Sequence, residues 1–230
     1  MIFYDYVLPL IITVIGIVLY VVFFTLKYKN ANEEEKLKPI KWLYALLVIA
    51  EVLKIFYLIT QNGEFRPLRY PLVFCSTILY TIPLFIYKTK LSGLCKSATV
   101  FVGIIAFILF AAVQWMYTMS LIQGHSYFYH GAMMAIAIYM ISSKIYVFER
   151  KSSYTTFLFF AAYTTFAAAL SLFIGEDISL FGPNSSYLGI LFNNFGFGAG
   201  MLVLLILIYL VSLGLFELID LIIRRKRVNR

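Results

Sequence analysis

Most of the residue types from which soluble enzymes assemble their sites are scarce here. Of 230 residues only 13% are Asp, Glu, Lys or Arg, two are Cys and two are His. So few charged residues leave no segment able to form a separate water-soluble domain. With no CxxC, no HExxH and no clustered carboxylates, a metal site lacks ligands. No glycine loop followed by Lys-Ser/Thr is present to cradle phosphates, so ATP hydrolysis is not expected and no cofactor is implied. Tandem repeats are not evident, and the only low-complexity tract, Glu33 to Glu35, reads as part of a solvated charged loop.

What the chain does have is apolar sequence: 62% of its residues are hydrophobic, with 22 Phe and 18 Tyr. A hydrocarbon core of roughly 30 Å needs about 20 apolar residues per helix. Seven stretches qualify, at about 4–27, 41–60, 68–87, 97–119, 126–147, 154–174 and 199–223. The expected fold is all-α, a polytopic membrane protein whose seven transmembrane helices form a single domain over residues 1–230. The first stretch is too long for a signal-peptide core, has no basic segment before it and shows no small-residue cleavage site, so it is expected to remain as the first span. The aromatics suit interfacial belts and lipid-facing surface. Pro71 falls in the first turn of its span, and Pro83 predicts a kink near the inner end.

The net charge of +8 is distributed in a pattern that speaks against nucleic acid as a partner. Sixteen of the nineteen Lys and Arg fall in the first, third and fifth connections or at the C-terminus, including Lys27 to Lys41, Lys88 to Lys96, Lys144 to Lys151 and Arg224 to Arg230. The second connection holds only Arg66 and Arg69, and Lys54 lies inside a span. Lys and Arg near span ends stay on the cytoplasmic side, which places the N-terminus outside and the C-terminus in the cytoplasm of a multi-pass cell-membrane protein. Residues 175–198, an outer segment rich in Gly with Pro183 and the pair Asn193 and Asn194, form the one long connection, either a functional loop or a cap on the bundle.

Function should sit where polar groups interrupt the spans. Glu51 and Lys54, three residues apart on one helix face, neutralise each other or line a polar cavity. Cys75 in the third span and His130 in the fifth lie at similar depths below the outer boundary, where an imidazole in reach of a thiol can take its proton and make a nucleophile. Each alone is as readily a packing residue or an interhelical hydrogen bonder. Ser76, Gln114, Ser171, Asn193 and Asn194 gather at the same level, as oxyanion donors or as interhelical glue. A disulfide between Cys75 and Cys95 is excluded by their placement at opposite ends of the bundle.

The run Tyr70-Pro-Leu-Val-Phe-Cys75-Ser76, the later Tyr127-Phe-Tyr-His130-Gly131, Ala162 with Tyr163, Gly182 with Pro183, and the Glu in the preceding span together resemble the bacterial YwaF-like integral membrane proteins, relatives of the transmembrane protein 164 group of acyltransferases. The resemblance runs from about Glu51 to the last span. It implies a seven-helix fold in which Cys75 and His130 form the catalytic pair and move an acyl chain between glycerophospholipids, or to a lysophospholipid, through a thioester on the cysteine. Membrane lipids are then the partners, and there is room for a homo-oligomer. The competing readings are a small transporter or substrate-binding membrane subunit whose polar cavity is lined by Glu51, Lys54 and His130, and a catalytically inactive structural protein.

Overall fold

The computed structural model describes residues 3–62, 74–113, 120–174, 199–200, 202–214 and 217–218. Among these residues there is no strand. After a π-helical turn at Phe3–Val7 come α1 (Leu8–Lys27), α2 (Glu33–Asn62), a 3-10 turn at Phe74–Thr77, α3 (Ile78–Ile86), α4 (Ser92–Val113), α5 (Leu121–Ser142), α6 (Arg150–Ile174) and α7 (Leu202–Gly214). Four of them, α1, α2, α4 and α6, include stretches long and apolar enough to cross a membrane. The chain is a helical membrane protein.

Several helix ends differ from the sequence expectation, because hydropathy marks the apolar run whereas capping marks the helix. The second helix starts at Glu33 rather than near 41, since Asn32 Oδ1 accepts from the Glu35 backbone N–H at 2.9 Å. Glu33 to Glu35 thus form a first helical turn, where carboxylates complement the macrodipole, and not a loop. Likewise Ser120 Oγ accepts from the Gln123 N–H at 3.2 Å and starts α5 at Leu121, five residues before the apolar stretch. At the other end α5 stops at Ser142, and Lys144 turns the chain with a φ of 61°.

Contacts group the chain into two units. The first comprises residues 1–66 and 75–147, with α5 at its centre against α1, α2 and α4, and α3 against α4 and α2. Its helices are turned inside out relative to a water-soluble bundle. On α2, Leu46, Ile49, Leu53 and Phe56 are exposed, at the spacing of one helix face. The opposite face carries Ile40, Leu43, Leu47 and Glu51, all buried. Exposed apolar residues around a buried carboxylate are what a lipid solvent selects. The second unit, residues 67–74 and 148–230, contains α6 and α7, joined by the Phe157 and Tyr209 rings at 5.2 Å.

Small residues bring the helices of the first unit together. A Cβ on Gly103 of α4 would stand 2.6 Å from the Met133 carbonyl oxygen, whereas one on Gly16 of α1 meets nothing within 4 Å. Gly103→Ala is therefore expected to cost about 1–3 kcal/mol through overpacking, and Gly16→Ala to leave stability unchanged or raise it by up to about 1 kcal/mol. Thermal midpoints of the two variants in detergent check this, and equal midpoints would contradict the close approach of α4 and α5.

Polar contacts set the two ends of this unit apart. At one end Lys96 reaches Glu33 at 3.1 Å, Tyr139 Oη donates to the Lys36 carbonyl at 3.0 Å, and Thr25 and Ser142 share a hydrogen bond of 2.8 Å. The connections rich in Lys therefore gather at one end, with Cys95 in the first turn of α4 beside them. Toward the other end lie the N-terminal turns of α3 and α5.

Candidate functional site

Polar side chains from α2, α5 and the turn before α3 meet near the end away from the lysines. Glu51 and Lys54 form the ion pair expected from their spacing, Lys54 Nζ donating to Glu51 Oε1. Glu51 is 5% exposed, so its charge requires a partner at this position. Lys54 Nζ also lies 5.9 Å from the centre of the Tyr129 ring, close enough for the ring face to attract it.

The second carboxylate oxygen identifies a residue that the sequence reading passed over. Glu51 Oε2 stands 3.5 Å from Nε2 of His125 on α5. Neither nitrogen of His125 nor Glu51 Oε2 completes a hydrogen bond, although all three atoms are buried. The His125 ring stacks on that of Tyr129, one helical turn later, with centroids 5.5 Å apart. Tyr129 is 2% exposed, and its hydroxyl, close enough to Ser76 to interact with it, completes no well-directed hydrogen bond. Because His125 opens the second turn of α5, its contact with Glu51 sets the ion pair level with the start of that helix.

Cys75 lies on the 3-10 turn that leads into α3, is half-buried and is a free thiol. The charged groups acting on its sulfur are Lys54 and Glu51. Tyr129 is within electrostatic reach of both Cys75 and Glu51. His130 is also half-buried, its ring flat against Phe110 of α4 with centroids 4.5 Å apart and planes 5° from parallel. Its Nδ1 lies 2.9 Å from the Ser126 carbonyl oxygen. A carbonyl only accepts, so Nδ1 carries the hydrogen, and in the neutral ring Nε2 holds the free lone pair. Glu51 and Lys54 are among the charges acting on His130, as they are for Cys75. No hydrogen bond joins the Cys75 sulfur to the His130 ring.

The structure thus brings Glu51, Lys54, Ser76 and Cys75 into one neighbourhood, with His130 in reach of the same ion pair and with His125 and Tyr129 as additions. Ser171 is buried on α6, in the second unit. Gln114, Asn193 and Asn194, like Arg66, Arg69, Pro71, Gly182 and Pro183, lie outside the described residues. Among the described residues no group of three or more His, Cys, Asp or Glu is placed to hold a metal ion.

Separately, an apolar groove of about 510 Å³ runs between α1 and α5, lined among others by Ile12, Gly16, Tyr20, Gly124, Gly131 and Ala135 and by none of the polar residues above. No family model, curated protein or solved structure matches the chain.

Proposed function

We propose that the chain is a cell-membrane protein of seven spans, with its N-terminus outside and C-terminus in the cytoplasm, that moves a fatty acyl chain from a phospholipid to a lysophospholipid through a thioester on Cys75. The observation that carries this reading is the His130 hydrogen bond to the Ser126 carbonyl, which leaves Nε2 as the basic nitrogen. A thiol and a correctly tautomerised imidazole that share one ion pair as neighbour supply the parts of a covalent acyl-transfer site.

In that reaction His130 Nε2 takes the thiol proton and the thiolate adds to the lipid ester carbonyl. Collapse breaks the ester C–O bond, the lysolipid oxygen leaves with the proton held on His130, and the acyl group stays on sulfur. An acceptor hydroxyl then gives its proton to His130, attacks the thioester and releases the cysteine. Ser76, buried and adjacent to the nucleophile in sequence, is a candidate donor to the oxyanion.

Incubating the purified chain with a phospholipid bearing an activated acyl ester tests the proposal. A hydroxylamine-sensitive acyl adduct is expected on the peptide containing Cys75 and not on that containing Cys95. Absence of any adduct, or an adduct on Cys95 alone, would refute it. The unpaired buried atoms of Glu51 and His125 favour a second reading, a binding or transport site, under which Cys75 is dispensable.

A further inference from the structure

Lysines close α3 and α5 at backbone positions that lysine does not favour. Lys88, which follows the α3 cap Tyr87, has a φ of 52°, and Lys144, which follows the α5 cap Ser143, has a φ of 61°. Among the described residues these are the non-glycine positions with positive φ. Each ends its helix as a glycine ordinarily does: the Lys88 N–H donates to the Phe85 carbonyl at 3.1 Å, the Thr89 N–H to that of Leu84 at 3.2 Å, and the Lys144 N–H to that of Ile141 at 3.2 Å. A side chain strains this left-handed backbone, and glycine would not. Retention of basic residues on the cytoplasmic side does not require these two positions, because it depends on charges anywhere within about 15–20 residues of a span end, and Lys90 already supplies one after α3. The helix dipole attracts an exposed cation only weakly and under screening. What lysine brings and glycine cannot is a charge held where each helix ends.

Both lysines are exposed, and among the described residues neither forms an ion pair. Glu33 is within electrostatic reach of Lys88, but its carboxylate is held by Lys96 at 3.1 Å. Aromatic rings indicate the depth. Tyr87, next to Lys88, is 81% exposed. The end of α1 is level with that of α5, where Thr25 bonds Ser142, and there Lys27 Nζ lies 5.7 Å and 5.6 Å from the ring centres of Phe23 and Tyr28. Tyrosine beside lysine at a helix end suits the headgroup level, where rings stay in the apolar boundary and ammonium groups reach phosphate. We infer that the ends of α3 and α5 form a docking surface for anionic phospholipid headgroups, with Lys88 and Lys144 as its principal charges and Lys27 beside them. A lipid phosphate supplies the counter-charge that neither lysine finds within the chain. This surface is independent of the reaction at Cys75.

Lipid binding to the full chain tests this. The protein in a neutral detergent is titrated with dioleoylphosphatidylglycerol and with dioleoylphosphatidylcholine, which share their chains and differ in net charge, and occupancy is read by native mass spectrometry. The anionic lipid is expected to bind at least about tenfold more tightly, at about fivefold for each lysine at the surface. The double variant Lys88→Gly with Lys144→Gly should lose most of that preference, while its thermal midpoint in lipid-free detergent stays level or rises, because glycine relieves both positive φ angles. Lys38→Gln removes a charge from the same end, but Lys38 already stands 4.0 Å from Glu35, so the preference should fall less than for either glycine substitution alone. Equal affinity of the wild-type chain for the two lipids would overturn the inference without reference to any variant. A preference that the double variant keeps would place the anionic lipid elsewhere on the chain. A loss for Lys38→Gln as large as for Lys88→Gly would mean that net charge alone attracts the lipid, and a midpoint lowered by the glycines would make both lysines structural caps.

Discussion

Cys75→Ser is expected to lower acyl transfer between phospholipids by at least about a thousandfold in reconstituted vesicles, the scale of loss that follows removal of a covalent nucleophile. In the proposed reaction the sulfur is the atom that carries the acyl group, and a serine hydroxyl, far less acidic than a thiol, yields its proton to an imidazole poorly. Cys95→Ser should leave the rate near wild type, because Cys95 is 1% exposed in the first turn of α4, at the end of the bundle where the lysines gather. Transfer of a radiolabelled acyl chain to lysophospholipid reads both variants. Activity retained by Cys75→Ser would exclude the thioester, and under the binding or transport reading uptake would persist in that variant.

The second large effect concerns folding. Replacing Lys54 with Met leaves Glu51 buried without its ammonium, and replacing Glu51 with Met leaves Lys54 with the face of Tyr129 in place of a carboxylate. Breaking a buried pair from one side costs about 3–5 kcal/mol, whereas replacing both partners with apolar groups is often neutral. Each single variant is therefore expected to unfold at distinctly lower denaturant, and the double variant Glu51→Met with Lys54→Met to recover most of the loss. Equilibrium unfolding in mixed micelles gives the coupling between the two sites. A double variant as unstable as the two singles combined would mean that the pair does not interact.

Much of this was readable before any coordinates. Glu51 and Lys54 stand three residues apart, so helical spacing alone predicts that the two charges meet each other. Lysine clustering anticipated which connections gather at one end. Helix ends were less legible. The apolar run near 126 hid the earlier start of α5, although Ser120 followed three residues later by Gln123 is a capping signal that places the start at Leu121.

That shift explains how His125 escaped notice. Hydropathy leaves His125 one residue outside the fifth apolar stretch; placed in the second turn of α5, it is one helical turn from Tyr129 and faces Glu51. Its distance from His130 of five residues puts the two rings about 140° apart around the helix axis. One therefore faces the ion pair while the other stacks on Phe110. No sequence pattern reports which imidazole meets a carboxylate on another helix, because that depends on the rotation of α2 against α5, which is settled by packing.

The central claim is that His130 is the base for the Cys75 thiol, and thiol reactivity measures it directly. Alkylation of Cys75 by a small membrane-permeant maleimide, followed by mass spectrometry in a Cys95→Ala background, reports the fraction of thiolate. With His130 as base, His130→Gln should slow alkylation by about tenfold or more at neutral pH, the lower part of the range for a positioned base, while leaving the thermal midpoint of the protein nearly unchanged. An alkylation rate equal to wild type in the folded His130→Gln chain would contradict the account.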